Sequence, residues 1–116
     1  MASVFLVDDH PDVREVVGQL LTMHGHRVSF VTSGELALER MEGELPQIVI
    51  ADHRLPGMSG VDLLRKIRND NRFSTVQCIL FSADADIQEL ANQAGAHAYW
   101  VKGSDALFDS IAGLDR

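Results

Sequence analysis

The run Ile48-Val49-Ile50-Ala51 is apolar at every position and stops abruptly at Asp52, followed by the turn-rich stretch Leu55-Pro56-Gly57-Met58-Ser59-Gly60. A strand with one solvated face alternates polar and apolar residues; a short run that is apolar throughout must be covered on both faces. A second such strand, Ser3 to Val7, ends in the acidic pair Asp8-Asp9. Strands of this kind belong to parallel sheets sandwiched between helices. The sites of such sheets lie beyond the carboxyl ends of the strands, where these acids would sit.

The rest of the chain supplies the covering helices in strict alternation. From Pro11 to His24, residues Val13, Val16, Val17, Leu20 and Leu21 follow the spacing of an amphipathic helix. Pro11 suits its first position and Gly25 its end. Arg27 to Val31 reads as a second strand, and Ser33 caps a helix carrying Ala37, Leu38 and Met41 inward. Gln47 to Ala51 is the third strand, and Ser59 opens a helix to about Asn69 with Leu63, Leu64 and Ile67 inward. Val76 to Phe81 is the fourth strand. Asp84 to Ala94 is predicted as a helix closed by Gly95, with Ile87, Leu90, Ala91 and Ala94 in register. Ala98 to Val101 is the fifth strand, and Leu107, Phe108 and Ile111 mark a short last helix.

Five βα units joined by short connections predict an α/β, flavodoxin-like (βα)5 three-layer sandwich. Its parallel five-stranded sheet has the order 2-1-3-4-5. The first and third strands are then neighbours, which gathers Asp8, Asp9 and Asp52. No linker or repeat divides the chain, so residues 1–116 are expected to form one domain.

Composition narrows the function. A formal net charge of −7 over 116 residues argues against direct nucleic-acid binding. No apolar stretch approaches the ~20 residues of a membrane span, and no signal-peptide pattern opens the chain. The single Cys78 lies in an apolar run and reads as a buried thiol, so the expected location is cytoplasmic. The five histidines show no metalloprotein spacing. His24 and His26 are expected at the surface, and His10 and His53, though near the acids, carry little weight.

Carboxylates about 5 Å apart repel by roughly 3 kcal/mol per pair at an effective dielectric near 20. Such a cluster persists by holding a proton or a cation. Magnesium fits, as a hard ion taking oxygen ligands, and beside it Asp52 is a plausible nucleophile toward phosphorus. Ser82 at the end of the fourth strand can donate a hydroxyl hydrogen bond to a phosphate oxygen. Lys102 at the end of the fifth offers a point charge. Each residue has a plainer alternative: Asp8-Asp9 as a helix cap, Asp52 as a turn former, Ser82 and Lys102 as solvated strand ends. The coincidence at four strand ends favours the phosphoryl reading. Tyr99 and Trp100 point to opposite faces, one packing and one exposed. Arg65, Lys66 and Arg68 read as a solvated helix face.

Four motifs, Phe5-Leu6-Val7-Asp8-Asp9, Ile50-Ala51-Asp52-His53-Arg54-Leu55-Pro56-Gly57-Met58-Ser59-Gly60, Phe81-Ser82-Ala83 and Tyr99-Trp100-Val101-Lys102, carry a resemblance. The chain resembles, over nearly its whole length, the receiver domain of two-component response regulators. The resemblance implies that Asp52 accepts a phosphoryl group from a histidine kinase or a histidine phosphotransfer protein. It implies Mg2+ (or Mn2+) held by Asp8, Asp9, Asp52 and the backbone carbonyl of Arg54. Ser82 and Lys102 would grip the phosphoryl group, Ser82 and Tyr99 would switch, and Arg54 and Asp84 would occupy the positions that tune phosphoryl lifetime. One departure stands out: Gly103 follows Lys102 where the family usually has proline, so a trans bond and an altered loop are expected.

On this resemblance the chain is a signalling module and not a classical enzyme, though it would promote its own phosphorylation and dephosphorylation. Its phosphorylation would switch the surface around the fourth helix, fifth strand and fifth helix, read by an output domain or partner protein. A monomer or weak phosphorylation-dependent dimer is expected, either stand-alone or part of a longer chain. Two rivals remain: a phosphatase using an aspartyl phosphate, and a degenerate receiver that only binds a partner.

Overall fold

The computed structural model describes residues 2–84 and 86–114. The strands are β1 (Ser3–Val7), β2 (Arg27–Val31), β3 (Ile48–Asp52), β4 (Gln77–Ser82) and β5 (Ala98–Val101). The helices are α1 (Pro11–Met23), α2 (Gly34–Met41), α3 (Gly60–Arg68), α4 (Gln88–Ala94) and α5 (Ala106–Ala112), with a short 3-10 turn at Asn71–Phe73. All strand pairs are parallel, in the order β2-β1-β3-β4-β5. This is the predicted flavodoxin-like topology, with β1 and β3 adjacent at the switch point.

Alternation along the strands divides the core. Phe5, Val7, Val49, Ala51, Cys78 and Leu80 pack under α2, α3 and α4 with Leu63, Leu64 and Ile67. Val4, Leu6, Ile50, Ile79, Phe81 and Trp100 pack on the other face with Val17 and Leu21 of α1 and Leu107 and Ile111 of α5. The central strands are therefore wet on neither face, as their composition requires.

Local signals place the helix starts. Ser33 Oγ accepts from Leu36 N, and Ser59 Oγ accepts from Asp62 N, each capping its helix. Gly60 has a stricter task. A Cβ there would overlap the carbonyl oxygen of Asp52 and lie 2.8 Å from its carbonyl carbon. Only glycine lets the start of α3 back onto the end of β3, where Gly60 N donates to His53 O at 2.9 Å.

Several expectations are corrected. The predicted helix over 84–94 includes Ala85, outside the described residues, and helix α4 begins only at Gln88. Asp84 N donates to Ser82 Oγ at 3.1 Å, which ties Asp84 back to the end of β4. Val16 is 55% exposed, because the buried arc of α1 runs through Val17, Gly18 and Leu21 and leaves Val16 far round the helix. Phe30 fills that arc: a Cβ on Gly18 would meet its ring at 2.7 Å. Phe108 is likewise exposed, while Leu107, Ile111 and Leu114 are buried. His26 is buried, its Nδ1 accepting from Ala2 N at 3.1 Å. β3 and β4 each run one residue further than predicted, so Asp52 and Ser82 are the last residues of their strands.

Candidate functional site

Register builds the site. Val7 pairs with Ala51, which leaves Asp8 and Asp52 level at the ends of β1 and β3. Asp52 pairs with Phe81 and Ser82 with Val101, so Ser82 and then Lys102 stand stepwise beyond it. The strand ends thus deliver Asp8, Asp52, Ser82 and Lys102 to one edge of the sheet. Lys102 N is fixed by a 2.7 Å hydrogen bond to Ser82 O.

Asp8 and Asp52 are both buried. Lys102 Nζ stands 3.1 Å from Asp8 Oδ2 and 3.3 Å from Asp52 Oδ2, and lies 5.1 Å from the centroid of the Phe81 ring. Both oxygens are buried and neither has a hydrogen-bond partner of good geometry. Asp52 Oδ1 accepts from Arg54 N at 3.3 Å. Burial and then the charge of Asp8 push the Asp52 carboxyl above the usual range, against the opposing pull of Lys102 and the Arg54 amide.

Asp9 is exposed beside this pair. His10, which carries little weight in the sequence, lies against all three acids. Its Nδ1 lies 2.7 Å from Asp8 Oδ1, 3.4 Å from Asp9 Oδ1 and 3.5 Å from Asp52 Oδ2. The bond to Asp8, and then the Asp8 charge, raise its pKa. The signal was the position of His10 between Asp9 and Pro11: proline restricts the preceding residue to extended backbone, here φ −90° and ψ 119°. The cap alternative for Asp8 and Asp9 is not what the structure shows, since α1 has His10 at its N-cap with no side-chain cap bond.

One ligand atom from each of Asp8, Asp9, His10 and Asp52 falls within 4.8 Å of all the others. A donor set this rich in carboxylate oxygen, with buried Asp52 Oδ2 free of hydrogen bonds, fits a hard divalent cation. Arg54 and Asp84 face each other across the mouth, with Nη2 to Oδ2 at 3.3 Å and both side chains more than half exposed. Trp100 is buried, edge-on to Phe81, while Tyr99 is 39% exposed. Gly103 takes a left-handed φ of 77°, and no peptide bond among the described residues is cis. His53 is half-buried, its Nδ1 without a hydrogen bond, and His97 Nδ1 accepts from Cys78 N at 3.0 Å. Cys78 is buried, its thiol pushed up to about 11 by burial. No helix among the described residues is long and apolar enough to cross a membrane.

Many known proteins are similar to this chain, and three illustrate the likeness. It is 30% identical over 102 residues to the transcriptional regulatory protein AfsQ1 of Streptomyces coelicolor, covering 88% of this chain and 45% of that one. The chain spans less than half the length of the first curated relatives it matches. The receiver domain of the sensor histidine kinase PA1611 of Pseudomonas aeruginosa, solved with a magnesium ion in its active-site cleft, superposes with a TM-score of 0.83. It is 28% identical, with 96% of this chain and 93% of that one covered. The response regulator TrrA of Thermotoga maritima, solved with Mg2+ and BeF, gives a TM-score of 0.81 at 26% identity, covering 95% and 94%. Residues 4–110 match the family model of the response regulator receiver domain, and the chain belongs to that family.

Proposed function

We propose that this chain is a phosphoacceptor in a two-component phosphorelay. Asp52 takes a phosphoryl group from the phosphohistidine of a histidine kinase or a histidine phosphotransfer protein. The observation that carries this reading is the buried Asp52 carboxylate, with Oδ2 free of hydrogen bonds and Lys102 Nζ 3.3 Å away. A carboxylate oxygen attacks phosphorus in line, the P–N bond breaks, and the departing imidazole takes back the electron pair. The desolvation that raises the Asp52 pKa also strips its oxygen of competing partners.

The remaining roles follow from position. Lys102, freed from sharing two carboxylates, pairs with the phosphoryl oxygens. Ser82 Oγ already accepts from Asp84 N, and its own O–H remains available to donate to the phosphoryl group. Asp8, Asp9 and Asp52, with the Arg54 carbonyl, hold Mg2+ or Mn2+, as the magnesium-bound relative supports. Bound there, the cation offsets charge on the transferring oxygens.

The chain in this reading is a switch and not a classical enzyme, although it promotes its own phosphorylation and dephosphorylation. Movement of Ser82 toward the phosphoryl group is followed by half-exposed Tyr99 on β5, changing the surface of α4, β5 and α5. Inverting a 1:99 population takes about 5.5 kcal/mol of preference, which a few charge-assisted hydrogen bonds largely supply. An output domain or partner protein reads that surface, with the chain monomeric or weakly dimeric when phosphorylated, in the cytoplasm.

The test is intact-mass spectrometry after treatment with acetyl phosphate and magnesium. The expected result is one added phosphoryl group, absent from Asp52→Asn and absent when EDTA replaces magnesium. No labelling of the folded wild-type chain would leave only the degenerate-receiver reading. Steady turnover of a generic phosphate ester would favour the phosphatase.

A further inference from the structure

The geometry points to a nitrogen ligand in this cation site: we propose that His10 adds its imidazole to the carboxylates. The site would then prefer a divalent metal that accepts nitrogen, such as cobalt or zinc, over magnesium. This rests on the reading above that the strand ends hold a divalent cation.

The separations are those of ligands around one ion. At metal–ligand bonds of about 2.1 Å, neighbouring donors of an octahedron stand about 3 Å apart. His10 Nδ1 lies 2.7, 3.4 and 3.5 Å from oxygens of Asp8, Asp9 and Asp52. It is therefore placed as a fourth donor, not as a bystander on the rim.

The imidazole is also held in place before any ion arrives. His10 N donates to Asp8 Oδ1 at 2.8 Å, the same oxygen its ring meets, and Pro11 restricts its backbone. Asp52 Oδ2, buried and without a hydrogen bond, is the oxygen 3.5 Å from His10 Nδ1, and it independently marks where the donors converge. To ligate, Nδ1 must offer its lone pair, with the ring proton on Nε2, and Asp8 Oδ1 then turns to the metal in place of an Nδ1–H.

Ligand chemistry then sets the preference. Magnesium favours oxygen donors and gives up its waters reluctantly, whereas imidazole suits later first-row metals and affinity rises along that series. A single nitrogen among carboxylates therefore changes the ratio of affinities more than the affinity for magnesium.

The experiment titrates the intact chain with Co2+ and with Mg2+ by isothermal calorimetry, for wild type, His10→Asn and His10→Gln, with circular dichroism confirming each fold. The visible absorption of bound Co2+ reports nitrogen coordination directly. The expected result is a cobalt-to-magnesium affinity ratio that falls about tenfold or more in both variants, with a changed cobalt spectrum and nearly constant magnesium affinity. An unchanged ratio and spectrum would overturn the nitrogen ligand while leaving the divalent site intact. Equal loss of both metals would reduce His10 to a positioning residue for Asp8 and also overturn it. Failure of wild type to bind either metal would remove the cation site itself, and the proposal with it.

Discussion

Oδ2 of Asp52 and Nζ of Lys102 face each other at 3.3 Å, although a strand end on β3 and one on β5 supply them with β4 between. The same ammonium lies 3.1 Å from Asp8, so one cation offsets two buried carboxylates. Lys102→Met keeps most of the side chain's length and removes the ammonium, with its charge and its contact over the Phe81 ring. With metal chelated, urea unfolding should show the variant about 2 kcal/mol less stable than wild type, below the 3–5 of a fully buried pair because Lys102 is 19% exposed. Magnesium should restore more stability to the variant than to wild type, and acetyl phosphate labelling should slow. Equal stability of the two proteins in EDTA would contradict the arrangement.

Asp52 itself should weaken the metal-free fold. Its carboxyl is raised by burial and by Asp8, so between the unfolded and folded pKa values the native state holds more protons than the unfolded one. Stability from this group therefore falls as pH rises through that interval, and the ionised carboxylate is a liability above it. Asp52→Asn is expected to stabilise the chain by about 1 kcal/mol or more in EDTA at pH 7. The gain should shrink as pH drops below the raised pKa and vanish below the unfolded value. Denaturation curves at pH 7.5, 5.5 and 4 would check this, and an advantage that persisted undiminished at the lowest pH would refute it.

The buried and exposed faces of the central strands were legible because Ile48 to Ala51 and Val4 to Val7 are apolar at every position, which admits one kind of sheet. From that sheet, Asp8, Asp52, Ser82 and Lys102 follow by register alone. What pattern reading missed has local causes. The Asp84 amide donates to the Ser82 hydroxyl, a local bond that periodicity does not report, and α4 begins only at Gln88. Val16 follows the helical period but lies off the buried arc of Val17, Gly18 and Leu21, where the Phe30 ring of β2 packs against Gly18. The sequence places His10 near the acids without fixing its ring, whose position comes from the backbone restriction imposed by Pro11 together with buried Asp8.

His26 was expected at the surface, yet it is 5% exposed and accepts from Ala2 N through Nδ1. That bond requires a neutral ring. Burial first, then nearby positive charge, lowers its pKa, so the unfolded chain takes up a proton at higher pH than the native one. Its contribution is present above the unfolded value near 6.5 and is lost as pH falls toward the lowered one, by at most about 1.4 kcal/mol per pH unit. His26→Asn should flatten the dependence of urea midpoint on pH between 7.5 and 5. His10, whose pKa is raised, contributes with the opposite sign, so the comparison is best made in the His10→Asn background. An unaltered slope there would show that His26 does not titrate with folding.

Arg54 and Asp84 meet at 3.3 Å across the mouth, and their side chains are 77% and 51% exposed. A pair this open is worth about 0.2–1 kcal/mol, and 1 kcal/mol corresponds to roughly fivefold in rate. If the pair screens the aspartyl phosphate from water, Arg54→Ala and Asp84→Ala should each hasten loss of the phosphoryl group from Asp52 by about two- to fivefold. The double variant should do no more than either single one, since each already breaks the same contact. The effect should fade in high salt, where an exposed pair is screened. Phosphoryl decay followed by mass spectrometry after desalting gives these rates. Additive effects would show that each side chain acts on the phosphoryl group separately, and an unchanged rate in Arg54→Ala would remove the shield altogether.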